Sequence, residues 1–156
     1  MADLAGAMEA MEQRFSAAWG STTGILFGND DSEAEGGIGR NPATGLPAAW
    51  VRFDIENEVS AIRGAGKPKS HVNLDEGQIV ITVSVPQGSG RQVARQLAVQ
   101  AGEIFRTAAF YRDTPGFEVK TWMPHVGRAL IGRSENPEGL WYVITVTIPY
   151  EFWSIA

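Results

Sequence analysis

The chain contains no cysteine, which excludes disulfides and thiolate chemistry outright. It has only two histidines, His71 and His125, with no short-spaced pair of the kind that holds a metal. No apolar run approaches the roughly 20 residues of a membrane helix. Near the start, acids at Asp3 and Glu9 replace the basic-then-apolar pattern of a leader, so cytoplasmic synthesis is expected. There is no internal repeat. Cations are outnumbered, 13 Lys and Arg against 18 Asp and Glu. The net charge of −5 argues against general nucleic-acid binding but leaves room for a local basic patch.

What remains is the composition of one folded domain. With 156 residues, 44% of them hydrophobic and 20% charged, the chain can bury roughly 70% of its unfolded surface. Its centre is the stretch from Gln78 to Phe110. Ile79, Ile81, Val83 and Val85 alternate with Val80, Thr82 and Ser84 until Pro86, the period of a strand. Gln87-Gly88-Ser89-Gly90 then turns into a helix expected over 90–110. Ser89 and Gln92 have the spacing of a capping box. Val93, Leu97, Ala101, Ile104 and Ala108 recur at steps of three and four, widened by Ala94, Ala98 and Phe105. That stripe predicts that Val93, Leu97, Ile104 and Phe105 are buried and that Leu97→Asp abolishes soluble folding.

Around this centre the pattern places further elements. An amphipathic helix is expected over 3–19, with Leu4, Met8, Met11, Phe15 and Ala18 or Trp19 inward. Ile25-Leu26-Phe27 is a short strand, and Asn29 to Pro47 a long acidic, glycine-rich loop. Trp50 to Val59 alternates with one wet face. Residues 63–70 form a second, basic connection. Strands follow at 117–123, more weakly at Ala129-Leu130-Ile131, and from Leu140 to Ile148, with Pro149 expected at an edge or at the end of pairing. The fold class is therefore α+β, a single mostly antiparallel sheet with two main helices on one face. One domain spans 1–156, with long loops at 28–48 and 60–72.

Tests for familiar chemistry fail one after another. From Asp31, acids stand at positions 1, 3 and 5 of a calcium loop with glycine at 6, but position 12 is Pro42 rather than a bidentate Glu. The turn at Gly88-Ser89-Gly90 sits where a phosphate-binding turn would, yet the third glycine of the dinucleotide fingerprint falls on Val93. Gly64 to Pro68 is no P-loop, since Ala61 occupies the first glycine position and Pro68 the Ser or Thr position. Neither histidine has a carboxylate or hydroxyl partner at a recognisable spacing. The pair Glu56 and Glu58 reads as a solvated strand face. No catalytic residue, cofactor or metal is expected. The five tryptophans are more informative, because a small interior cannot take them all. Trp50 and Trp141 suit a core, whereas Phe152 and Trp153 in the tail are candidates for a partner contact.

The order of these motifs resembles the tail terminator proteins of long-tailed phages, the lambda-type family that also occurs in phage-like gene transfer agents. The resemblance covers most of the chain. It rests on Ala49-Trp50-Val51-Arg52-Phe53, on the strand from Asp75 that enters Pro86-x-Gly88-x-Gly90 before the second helix, and on Gly139-Leu140-Trp141 leading to Ile148-Pro149-Tyr150. The asparagine-rich tripeptide near the first strand is reduced to Phe27-Gly28-Asn29. The resemblance implies a non-catalytic virion protein, assembled in the host bacterial cytoplasm, that forms a hexameric ring on the head-proximal end of the tail tube. Such a ring stops tube polymerisation and offers the head its docking surface. The implied partners are other copies of the chain, the tube protein and a head–tail connector or head completion protein. DNA would pass through the lumen without sequence-specific binding, and no membrane is involved. Interface candidates are Asp30, Asp31, Glu33, Glu35 and Arg40 in the first loop, Arg63, Lys67 and Lys69 in the second, and Phe152 and Trp153. A connector or tube subunit is the alternative within this class, and a small-ligand or nucleotide-binding domain using the 87–90 turn is the alternative outside it.

Overall fold

The structure, a computed structural model, describes residues 3–28, 39–41, 43–64, 66–127, 130–132 and 141–155. Helix α1 (Leu4–Trp19) precedes strands β1 (Gly24–Phe27), β2 (Trp50–Ile62) and β3 (Val72–Pro86). Helix α2 (Arg91–Glu103) is followed by β4 (Ala109–Phe110), β5 (Glu118–Thr121), β6 (His125–Val126), β7 (Leu130–Gly132) and β8 (Trp141–Ile155). One sheet runs in the order β1-β2-β3-β8-β5-β4, with β6 and β7 also paired to β8. Every pairing is antiparallel except β1 with β2. The fold is α+β, one mostly antiparallel sheet and two helices.

Helix α1 starts where Asp3 accepts the Gly6 N–H at 2.7 Å and stops at Gly20, whose φ of 58° suits glycine. Ala7, Met11, Phe15 and Trp19, four residues apart, are its buried stripe. Phe15 stacks on Phe53 of β2 at 4.9 Å and on Trp19 at 5.4 Å. Beneath them Ile79, Ile81 and Val83 of β3 and Val146 and Ile148 of β8 are fully or almost fully buried. Each such side chain contributes on the order of 1.5–3 kcal/mol.

Helix α2 corrects the sequence reading in three respects. It ends at Glu103 rather than near 110, because Ala109–Phe110 is drawn into the sheet beside β5. Its N-cap is Gly90 with no side-chain cap, so Ser89 and Gln92 make no capping box. The buried seam is Ala94, Ala98, Ala101 and Gly102, while Val93 is 42% exposed and Leu97 only half-buried. Small residues win because the helix lies close on the sheet: a Cβ on Gly102 would meet Pro124 Cβ at 2.9 Å. The predicted collapse on Leu97→Asp therefore belongs to the alanine seam.

Two strands outrun their expected limits. β3 begins at Val72, six residues before Gln78, since β2 and β8 pair with it on both sides over that whole length. The connection expected over 60–72 is accordingly confined to 63–71. β8 continues past Pro149 to Ile155 and is a central strand. Proline is tolerated there because its missing N–H faces the gap between β5 and β6. Pro149 still accepts the Trp122 N–H at 3.0 Å. The Trp122 carbonyl, which residue 149 would ordinarily satisfy, takes the Thr107 N–H at 3.4 Å instead.

Candidate interaction surface

β2 divides into two halves. Over Trp50–Phe53 it is flanked by β1 as well as β3, and Val51 and Phe53 are core. From Asp54 to Ile62 its outer edge has no strand partner among the described residues. Within the open half lies a bulge at Asn57/Val59 opposite Gly77. A Cβ on Gly77 would lie 2.0 Å from the Glu56 carbonyl oxygen and 2.8 Å from the Tyr150 hydroxyl, so only glycine fits. Tyr150 donates to Asn57 Oδ1 at 3.1 Å, Asn57 Nδ2 donates to Ser60 Oγ at 3.1 Å, and Ser60 donates to Asp75. Burial, with Asp75 and then Glu58 adding repulsion, pushes the Tyr150 phenol up to about 12.

An open edge invites strand addition, and proteins commonly guard it with charge and bulges. Here Asp54, Glu56 and Glu58 and the bulge guard the first part. Val59-Ser60-Ala61-Ile62 carries no charge, and Val59 and Ile62 are 46% and 65% exposed. Alongside lies a groove of about 900 Å³ on the helix side of the sheet, walled by Leu4, Ile62, Phe117, Phe152 and Ile155. Beyond it the hairpin tip turns on a Ser70 N–H to Lys67 carbonyl bond of 2.9 Å, with Lys69 held at φ 69°. Arg63 pairs loosely with Glu76 at 3.4 Å. Lys67 and Lys69 are exposed and have no ion-pair partner among the described residues.

The sequence candidates are thus only partly assembled. Arg63, Lys67 and Lys69 share the tip. Arg40 lies at the foot of the sheet, its backbone bridged to Pro47 and its guanidinium 3.4 Å from the Gly45 carbonyl. Asp30, Asp31, Glu33 and Glu35 lie outside the described residues. Phe152 is a correction: it is 1% exposed and packs with Tyr111 and Phe117 at 5.9 and 6.4 Å. The strand that was expected to stop at Pro149 carries it into the core. Trp153 points to the opposite face, half-buried beside Leu74, and donates to Glu151 at 3.2 Å.

A second surface went unread. Trp122 and Met123, in the gap that Pro149 leaves between β5 and β6, are 47% and 53% exposed, with Val99 and Val126 also bare. Pro149 was the available signal, but its meaning depends on which neighbour its nitrogen faces. Trp50 and Trp141 are buried as expected, in a separate cluster with Leu26, edge to face at 6.3 Å. Their indole N–H groups and Ser84 Oγ have no hydrogen-bond partner among the described residues.

His71 and His125 lie on different strands or their margins, and no group of three His, Asp or Glu among the described residues could hold a metal. Glu56 accepts from Gln78 at 3.1 Å. No helix among the described residues is long and apolar enough to cross a membrane.

No protein-family model matches the chain, and no curated protein matches it. A solved structure that carries no functional name is similar to it at a TM-score of 0.58 and 13% identity, covering 93% of this chain and 94% of that one. The likeness establishes a shared fold.

Proposed function

We propose that this chain is a structural virion protein of the tail terminator kind, from a long-tailed phage or a gene transfer agent. Six copies form a ring on the head-proximal end of the tail tube, halt tube growth and present the surface on which the head docks. The observation that carries the reading is β2, a long strand whose outer side is paired, among the described residues, over four of its thirteen residues. The uncharged stretch Val59–Ile62, a largely apolar groove and a cationic tip converge there, which suits contact with another protein. The strand, Pro86-x-Gly88-x-Gly90 turn and helix that carry the resemblance stand in that order in the fold, with Gly88 and Gly90 at φ 93° and 96°. Particles lacking the protein should have overlong or headless tails, and adding it back should restore head joining. Tails of normal length joined to heads without it would refute the proposal. Spontaneous growth of long filaments from pure protein would favour a tube subunit instead.

A smaller groove of about 270 Å³ at Gln87, Gly88, Gly90, Arg91 and Tyr142, beside a helix start with no side-chain cap, supports a nucleotide-binding reading. That reading requires a nucleotide at a hundred times its Kd to stabilise the fold by about 2.7 kcal/mol. An unmoved melting curve disposes of it.

A further inference from the structure

The outer edge of β2 changes sign along its length. Asp54, Glu56 and Glu58 precede the uncharged Val59–Ile62, and Arg63, Lys67 and Lys69 follow it. Glu56, Asn57, Glu58, Val59, Ser60 and Ile62 are exposed. An edge that is acidic at one end and basic at the other complements a second copy of itself running antiparallel, and repels one running parallel.

Backbone geometry fixes how two such edges can meet. The Arg63 N–H donates to the Val72 carbonyl at 2.8 Å, so residue 63 turns its backbone polar groups toward β3. Successive residues of a strand turn theirs to opposite sides. Ser60 and Ile62 therefore present an N–H and a C=O to the open edge, whereas Ala61 does not. A two-fold pairing must match outward residues with outward residues. Ala61 placed against its own copy does so, because Ser60 and Ile62 of each chain then exchange N–H···O bonds with Ile62 and Ser60 of the other. Ser60 placed against its own copy would instead set Ile62 against Glu58, which the bulge leaves out of the ladder. With Ala61 on the axis, Ile62, 65% exposed in one copy, lies opposite Ser60 of the other. Both residues line the groove on the helix side of the sheet, so each Ile62 covers the mouth of the other copy's groove.

We infer that two copies of the chain pair antiparallel through Ser60-Ala61-Ile62, joining their sheets edge to edge. The basic tip of each then runs beside Glu56 and Glu58 of the other, and these charges set direction and register. Three residues a side cover less than the roughly 1,200 Å² of a stable interface, so the pair forms and separates with protein concentration. A two-fold contact uses the same patch on both chains and closes on itself. It thus shields the open edge of a free chain from other strands. The pairing goes beyond the ring reading and does not rest on it.

The chain has no cysteine of its own, so Ala61→Cys and Ser60→Cys can each be oxidised and run without reductant. Residue 61 meets its copy in a non-hydrogen-bonded pair with Cα atoms about 4.5 Å apart, within disulfide range. Residue 60 stands diagonal to its copy at about 7–8 Å, outside that range. At equal concentration Ala61→Cys should give several-fold more disulfide dimer than Ser60→Cys. Equal yields, or an excess from Ser60→Cys, overturn the pairing. In sedimentation the parent chain should pass from dimer to monomer on dilution. Ile62→Pro removes an N–H that a single copy leaves unused, at an edge where proline is tolerated, and should stay monomeric with the parent's circular dichroism. A parent with no dimer at any concentration, or a folded Ile62→Pro that still dimerises, overturns the pairing. Should Ile62→Pro fail to fold, the two cysteine variants decide. Tail length and head joining test the ring reading separately, so the two fail independently.

Discussion

The two ends of the β2–β3 pair are made of the same strands and behave oppositely. At the foot, Val51, Phe53, Ile81 and Val83 lie under Phe15 and Phe105 with almost no exposure. At the tip, past the bulge, the residues paired across the hairpin include Ile62 and Val59, which are largely exposed. Alternating hydrophobicity is present in both halves. What separates them is cover: helices and β1 over one, nothing described over the outer edge of the other. A strand pattern therefore states which side chains can be buried, and the rest of the chain decides which ones are.

That contrast can be broken most forcefully at its foot. Phe53→Ala removes a ring in contact with Phe15, Phe27 and Phe105 and should cost about 3–5 kcal/mol in urea unfolding. At the bulge, Gly77→Ala forces a methyl group against the Glu56 carbonyl. It should cost roughly 1–3 kcal/mol, and amide exchange should quicken at 57–60. Stability unchanged by Gly77→Ala would mean that the bulge does not depend on the close approach of residue 77 to Glu56.

Tyr150 links the halves and offers a pH test. Its folded phenol titrates at about 12, above an unfolded value of about 10. The folded state thus holds the proton more tightly, so its contribution is present below pH 10 and falls away between about 10 and 12. Tyr150→Phe should cost about 1 kcal/mol at neutral pH through the lost bond to Asn57 and flatten that alkaline loss. A Tyr150→Phe profile parallel to the parent's across that window would show that the phenol is not responsible.

At the tip the expected effect on folding is smallest. Reversing Arg63, Lys67 and Lys69 together should shift stability by no more than about 0.5 kcal/mol per site, since the pair disturbed among the described residues is the exposed Arg63–Glu76 contact. Ring assembly or capping should fail all the same. Normal-length, head-joined tails from the triple variant would remove the tip from the interface.

Local pattern carried much of this architecture. The helix over 4–19, the alternation of Ile79 to Val85 and the short strand at Ile25 to Phe27 are legible because each has a clear period and a recognisable stop. The inward face of α2 was read in part: Ala94, Ala98 and Ala101 stood in the expected stripe, but the larger Val93 and Leu97 were ranked above them because side-chain size was taken as the mark of burial. Close approach to a sheet instead selects Ala94, Ala98, Ala101 and Gly102. The parallel pairing of β1 with β2 leaves no local mark, since register between segments far apart in sequence is fixed by the core they share. Of the interaction surface, the charge of the tip was readable from Arg63, Lys67 and Lys69. The open edge beside it was not, because an unpaired edge is a property of what fails to arrive.

One covalent ring has reach beyond its own position. By withholding a single hydrogen from a long central strand, Pro149 keeps the neighbouring segment from zipping shut and leaves Trp122 and Met123 turned outward. Restoring that hydrogen with Pro149→Thr would let the ladder close, and the indole's display would change without the indole being touched. Display of a surface residue can thus be inherited from the backbone chemistry of a residue on another strand.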